Sequence, residues 1–265
     1  MSQEIREEIH EDVCEDAREE FREPLFVKIA KITVKAVGLL LVFGTIVFFI
    51  WRAFFSTIIP AEVRSLSPNP TLKEAYEAAL TEGKELTVFY QESQYDTTTV
   101  RDKNYSYFSA KEARFIQEAN QVQLLFRYNN ATIRHLVEDY KLTEIPDRSS
   151  DLYDVTLYVA YDLTPDDLTD NAGNNPESVK FVRYHATSST PASTLLYNYR
   201  RMTFDGLDMT VTDNPVLAVY VDVYYLGDLD YEAEPYGTVC IYDYAAANTY
   251  GTLDKKEIAS LEELP

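Results

Sequence analysis

The feature that most limits what this chain can fold into is its uncharged run Ala36–Trp51, AVGLLLVFGTIVFFIW. As a helix the run reaches about 24 Å, short of a hydrocarbon core of about 30 Å. Adding Ile32–Val34 brings it to spanning length, with Lys35 laying its methylenes in lipid and its ammonium among the headgroups. Lys28, Lys31 and Lys35 follow a 3-then-4 spacing, so they share one helix face and reach one headgroup layer. Pro24 suits the first turn, where a missing N–H costs little. The expected span is residues 25–59.

Its orientation follows from the flanks. Arg22, Lys28, Lys31 and Lys35 precede the run, whereas only Arg52 and Arg64 follow it closely. The positive-inside rule puts the N-terminus in the cytoplasm and the rest of the chain outside, with Trp51, Phe54 and Phe55 as an outer aromatic anchor. A cleaved signal peptide needs a short basic start and a small-x-small site. This leader is long and acidic, and it ends in STIIPAEV. The reading is a single-pass signal anchor in the cell membrane, touching lipid through residues 25–59.

Charge restricts the partners. Residues 1–52 hold seven Lys and Arg against ten Asp and Glu, so −17 of the net −20 lies beyond them. Such a domain does not bind nucleic acid by phosphate neutralisation. It is also repelled by anionic lipid and cell-wall polymers unless divalent cations bridge them. Cys14 and Cys240, the two cysteines, fall on opposite sides of the expected span, which rules out an intrachain disulfide. That fits bacteria without an oxidising periplasm. In GTVCIYDY, Cys240 reads as a buried, inert thiol.

The cytoplasmic tail, residues 1–24, places Ile5, Ile9, Val13, Ala17 and Phe21 along one side of an acidic amphipathic helix. Residues 60–70 hold Pro60, Pro68 and Pro70 and read as an extended linker. Residues 71–265 form the extracytoplasmic domain. Its 71–148 part alternates helix and strand. TLKEAYEAALTEG is a helix capped by Thr71 and closed by Gly83, SAKEARFIQEAN a helix capped by Ser109, and ATIRHLVEDYKL a third helix; ELTVFYQ and QVQLLFRY are strands. This part is either a small lobe or a donor of edge strands to the common core.

Over 149–250 the period becomes two. LYDVTLYVAYDL, VKFVRYHA, TLLYNYRRMTF, VLAVYVDVYY and GTVCIYDY are strands rich in Val, Tyr and Thr. With no helices between them they predict an antiparallel β-sandwich or open barrel. Residues 251–265 read as a C-terminal tail. The fold class is α+β.

Chemistry is sparse. Asp228, Asp230, Glu232 and Glu234 alternate in LGDLDYEAEPYG, so an extended segment would aim all four to one side as a calcium loop. An EF-hand is excluded, because Ala233 stands where glycine is needed and Val239 where the bidentate Glu belongs. A solvated hairpin loop explains the same residues. Asp162, Asp166, Asp167 and Asp170 read as turn residues. His135 with Glu138 and Asp139 is a metal half-site lacking a second motif. His185 precedes Ser188 and Ser189 without a nucleophile elbow. No cofactor motif is present.

Tyrosine is the remaining signal, at 21 residues. Tyr197, Tyr199 and Arg201 share one strand face, and Tyr220, Asp222 and Tyr224 another. Such rows make a carbohydrate or peptide platform, and equally they brace an ordinary sheet. The leading functional expectation is a membrane-anchored extracytoplasmic binding module, such as an envelope-complex subunit with a protein or envelope-polymer partner. A sensor or scaffold with a cytoplasmic partner is the alternative. An anchored envelope hydrolase ranks last.

Overall fold

The computed structural model describes residues 24–56, 58–90, 98–100, 103–105, 108–129, 131–146, 152–162, 179–194, 196–209 and 215–265. The amphipathic tail and the turn residues Asp166, Asp167 and Asp170 lie outside them. The chain divides into two compact units, one ending at Ile58 and the other running from Ile59 to Pro265.

The first unit holds α1 (Leu25–Ser56), which the Pro24 carbonyl opens by accepting from the Val27 N–H at 2.8 Å. Residues Phe26–Arg52 are long and apolar enough to cross a membrane, about 40 Å at 1.5 Å per residue. None of that stretch is buried. Its hydroxyls are satisfied internally: Thr33 donates to the Ile29 carbonyl and Thr45 to the Leu41 carbonyl.

Among the described residues, the second unit holds twelve strands and four α-helices. In chain order these are α2 (Ala61–Arg64), α3 (Pro70–Thr81), β1 (Val88–Tyr90), β2 (Thr98–Val100), β3 (Lys103–Tyr105), β4 (Phe108–Ile116), β5 (Gln121–Asn129), α4 (Ala131–Tyr140), β6 (Tyr153–Asp162), β7 (Val179–His185), β8 (Ser188–Ser193), β9 (Tyr197–Asp205), β10 (Val216–Tyr225), β11 (Gly237–Asp243), β12 (Thr249–Gly251) and α5 (Lys255–Glu262). Sheet I has the order β12-β1-β4-β5-β9-β8. Sheet II has a four-stranded body, β11-β10-β6-β7, extended at one edge by the three-residue strands β2 and β3. Every pairing is antiparallel. This is the expected α+β, open, sandwich-like fold.

The core lies between the sheets. Sheet I contributes Phe108, Ala113, Phe115, Val122, Leu124, Phe126 and Phe204, and sheet II contributes Val155, Leu157, Val159, Val219, Val221, Val223 and Ile241. Aromatic rings join the layers: Phe108 meets Tyr153 and Tyr236 edge to face at 5.1 and 5.7 Å. Such contacts add directionality to apolar burial.

Several expected elements differ. SAKEARFIQEAN is not a helix: its first eight residues lie in β4, and the rest form a turn into β5 through Asn120, whose φ is 48°. Phe108 and Ala110 face the core, a bulge follows, and Ala113 and Phe115 face it next. The bulge breaks the parity of two and imitates a helical spacing. The α3 cap is Asn69, which accepts from the Leu72 N–H at 3.0 Å, rather than Thr71; Pro70 takes the first helical position. Gly83, at φ 68°, closes α3 by a Schellman motif in which Gly83 N–H reaches the Leu80 carbonyl and Lys84 N–H the Ala79 carbonyl. β4 and β5 are central strands of sheet I, so residues 71–148 are no separate lobe. The C-terminal stretch carries α5, capped by Asp254 and Glu257 in a capping box. Cys240 points away from the core, because Val239 and Ile241 take the inward positions of β11.

Candidate functional site

The two outer faces of the sandwich are finished differently. On sheet I, Leu66, Leu72, Ala79 and Leu261 cover Val88 and Ile116, and Val63 covers Leu125 and Tyr199. Thus α2, α3 and α5 roof this face. On sheet II the outer positions are taken by polar and aromatic residues: Thr156 and Tyr158 on β6, Phe181, Arg183 and His185 on β7, Tyr220, Asp222 and Tyr224 on β10, and Thr238 and Cys240 on β11.

Strand register assembles these side chains. Tyr158 lies opposite both Tyr220 and Arg183, and Thr156 lies opposite both Asp222 and His185. Arg183 is the hub. Its Nη1 donates to Thr156 Oγ1 at 3.1 Å and to the Tyr224 hydroxyl at 2.8 Å, and its Nη2 donates to the Tyr231 carbonyl at 3.3 Å. The guanidinium carbon also stands 4.9, 5.0 and 5.3 Å from the ring centroids of Tyr158, Tyr224 and Tyr231. Cation–π attraction and planar hydrogen bonding both hold it in place.

Two carboxylates flank the hub. Asp222 accepts from Thr238 Oγ1 and lies 3.6 Å from Arg183 Nη1. Burial pushes its carboxyl above the ordinary range, and Thr238, Arg183 and Tyr224 pull against that rise. Asp154 accepts from the Tyr231 hydroxyl at 2.7 Å and sits 3.9 Å from His185 Nδ1. Burial and that hydrogen bond push the Tyr231 phenol up to about 12. Beside the hub, Phe181 stacks on Tyr158 at 4.9 Å and 9°, and Phe181 is 49% exposed. The result is an aromatic surface with a rigid, charge-compensated centre.

The two expected tyrosine rows lie on different sheets. Tyr197, Tyr199 and Arg201 belong to sheet I, and Tyr220 and Tyr224 to sheet II. Tyr199 and Arg201 are each 1% exposed, roofed by the segment around Val63, so they offer nothing to a ligand. Tyr197 is half-buried and carries Arg127 over its ring at 4.2 Å. Tyr224 is buried against Arg183 and Tyr231, and Tyr220 is half-buried. The residues that sequence reasoning missed are Arg183, Tyr158, Phe181, Asp154 and Tyr231. The period of two in VKFVRYHA already puts Phe181, Arg183 and His185 on one face.

The acidic loop is not the extended, one-sided row that its alternation predicts. Asp228, Asp230, Glu232 and Glu234 are all exposed, and Asp228 closes a 3-10 turn, Leu226–Asp228, instead of lying in an extended segment. Asp230 spends one oxygen on the Glu232 N–H at 2.9 Å. Among the described residues, no three His, Cys, Asp or Glu side chains gather as metal ligands. Asp139 accepts from the Tyr236 hydroxyl at 2.9 Å, and His135 Nδ1 lies 3.7 Å from Glu138 Oε2. No protein-family model matches this chain, and neither does any curated protein or solved structure.

Proposed function

We propose that this protein is a membrane-anchored extracytoplasmic binding module whose contact surface is the outer face of sheet II. The supporting observation is the contrast between the two faces: sheet I is roofed by helices, while sheet II presents Phe181, Tyr158 and Tyr220 around a pinned Arg183. Preorganised aromatic and Arg side chains are the usual energetic centres of protein contacts. The unburied apolar helix and the lysines in its first turns support anchoring with the N-terminus inside.

The test uses the full chain in its native membrane. A photoreactive phenylalanine analogue replaces Phe181 in one variant and Glu77, exposed on α3, in another. Discrete adducts from position 181 and none from position 77 are expected. Equal adducts from both positions, or none from either, refute the binding face.

A further inference from the structure

Among the described residues β7 is an open edge of sheet II, and it differs from the other three sheet edges. β3 and β12 are three residues long, and β8 carries Pro191 in the polar run SSTPAS, all devices that blunt an edge. β7 is seven residues, VKFVRYH, with neither proline nor glycine. Beyond it the chain leaves for sheet I, where the Thr187 N–H donates to the Thr203 carbonyl at 2.8 Å. The open edge is therefore Val179–His185.

Two hydrogen bonds fix which residues face that edge. The Asp162 N–H donates to the Pro215 carbonyl at 2.9 Å, and the Leu152 carbonyl accepts from the Leu226 N–H at 3.0 Å. Even-numbered residues along β6 thus turn their backbone groups to β10, and odd-numbered ones turn theirs to β7. The register sets Tyr161 opposite Lys180, Val159 opposite Val182 and Leu157 opposite Tyr184. Phe181, Arg183 and His185 therefore turn their N–H and C=O groups to the open edge, while their side chains stand on the outer face. On the inner side Val182 and Tyr184 are half-buried against the main core, so an added strand finds apolar neighbours there as well.

A second observation bears on what such a strand carries. Tyr231 meets His185 edge to face at 5.2 Å, and its carbonyl accepts from Arg183 at 3.3 Å. These contacts bring the loop of Asp228, Asp230, Glu232 and Glu234, all exposed, to the His185 end of the edge. We propose that the β7 edge takes an extended segment of a partner protein by antiparallel strand addition, with alternate apolar side chains and basic residues at its N-terminal end. This deepens the proposed contact surface on sheet II and rests on it. Main-chain hydrogen bonds supply affinity in this mode, and alternate side chains supply specificity. Antiparallel addition continues the pairing that β6 and β7 already make, and it puts the segment's N-terminus beside the acidic loop. Lysines there meet carboxylates, whereas the chain's net charge of −20 disfavours a second copy.

The probe is a dye-labelled peptide, Lys-Lys-Val-Thr-Val-Thr-Val-Thr, titrated against the full chain in phosphatidylcholine nanodiscs. A counterpart of equal charge carries the two lysines at its C-terminal end. The first peptide should bind saturably and at least about fivefold tighter, and Asp230→Asn with Glu232→Gln should remove that difference. His185→Pro deletes an outward N–H without breaking a bond to β6, and it should weaken binding about tenfold, whereas His185→Ala should not. Independently of the proline variant, a carbon-13 carbonyl label in the bound peptide should place its amide I band at the antiparallel β position. No saturable binding, or equal losses in His185→Pro and His185→Ala, overturns strand addition. Equal binding of the two peptides overturns the basic N-terminal end. Binding that only accompanies dissociation of a dimer assigns the edge to a second copy and overturns the partner segment. Adducts from position 181 that survive His185→Pro leave the proposed surface standing and overturn strand addition, whereas their absence in the parent removes the proposed surface itself.

Discussion

Arg183 lies across Tyr224 with its guanidinium carbon 5.0 Å from the ring centroid and its Nη1 2.8 Å from the hydroxyl. The same guanidinium faces Asp222, whose side chain is 7% exposed. Arg183→Gln therefore strips the countercharge from a buried carboxylate and leaves the Tyr231 carbonyl and Thr156 without their donor. The expected cost is about 3 kcal/mol at neutral pH. Adding Asp222→Asn to Arg183→Gln restores part of it, because the unpaired charge is gone. Urea unfolding of the two single variants and the double variant measures the coupling. Strict additivity would dismiss the pair as an energetic unit.

Asp222 also predicts a pH response. Burial holds its folded-state carboxyl above the ordinary value of about 3.9, so just above that pH the folded chain binds more protons than the unfolded chain. The stabilisation from this group is complete below about pH 4 and is lost as the pH rises through the raised folded value. Asp222→Asn keeps an acceptor for Thr238 and removes the titration. Its Tm relative to the parent should climb as the pH is taken from 4 to 7. A relative Tm that falls over that range contradicts the burial argument.

Much of the fold is written locally in the sequence. The five period-two segments after residue 150 match β6, β7, β9, β10 and β11, because one buried face imposes alternation. β8 escaped notice since SSTPAS is polar and holds Pro191, which an edge strand tolerates. β4 escaped through its bulge. The α5 signal was legible: Asp254 followed three residues later by Glu257 is a capping box. The face of sheet II was only half legible. Alternation groups residues within one strand, but register decides that Arg183 meets Tyr158, and loop geometry decides that Tyr231 returns to Asp154.

The cap of α3 separates two readings of one short stretch. Asn69 Oδ1 accepts the Leu72 N–H, and the Asn69 side chain also meets Gln121. Asn69→Ala should cost about 1–2 kcal/mol, and Thr71→Ala, exposed inside the first turn, less than about 0.5 kcal/mol. Thermal melts of both variants decide it. A larger loss at Thr71 would return the cap to the position that simple pattern reading assigns.

Cys240 gives a probe of orientation that needs no engineered residue. It is exposed on the outer face of sheet II and donates weakly to the Tyr242 carbonyl at 3.2 Å. Burial of its surroundings raises the thiol above its ordinary value, so the thiolate is scarcer at neutral pH than in a free cysteine. A membrane-impermeant maleimide applied to intact cells should label Cys240, more slowly than a free thiol, with a rate that keeps rising at alkaline pH. Cys240→Ser should abolish that labelling, and Cys14 should react only after the membrane is permeabilised. Labelling of Cys14 in intact cells with Cys240 protected would reverse the topology inferred from Lys28, Lys31 and Lys35. It would also move the aromatic face of sheet II, and any partner it binds, to the cytoplasm.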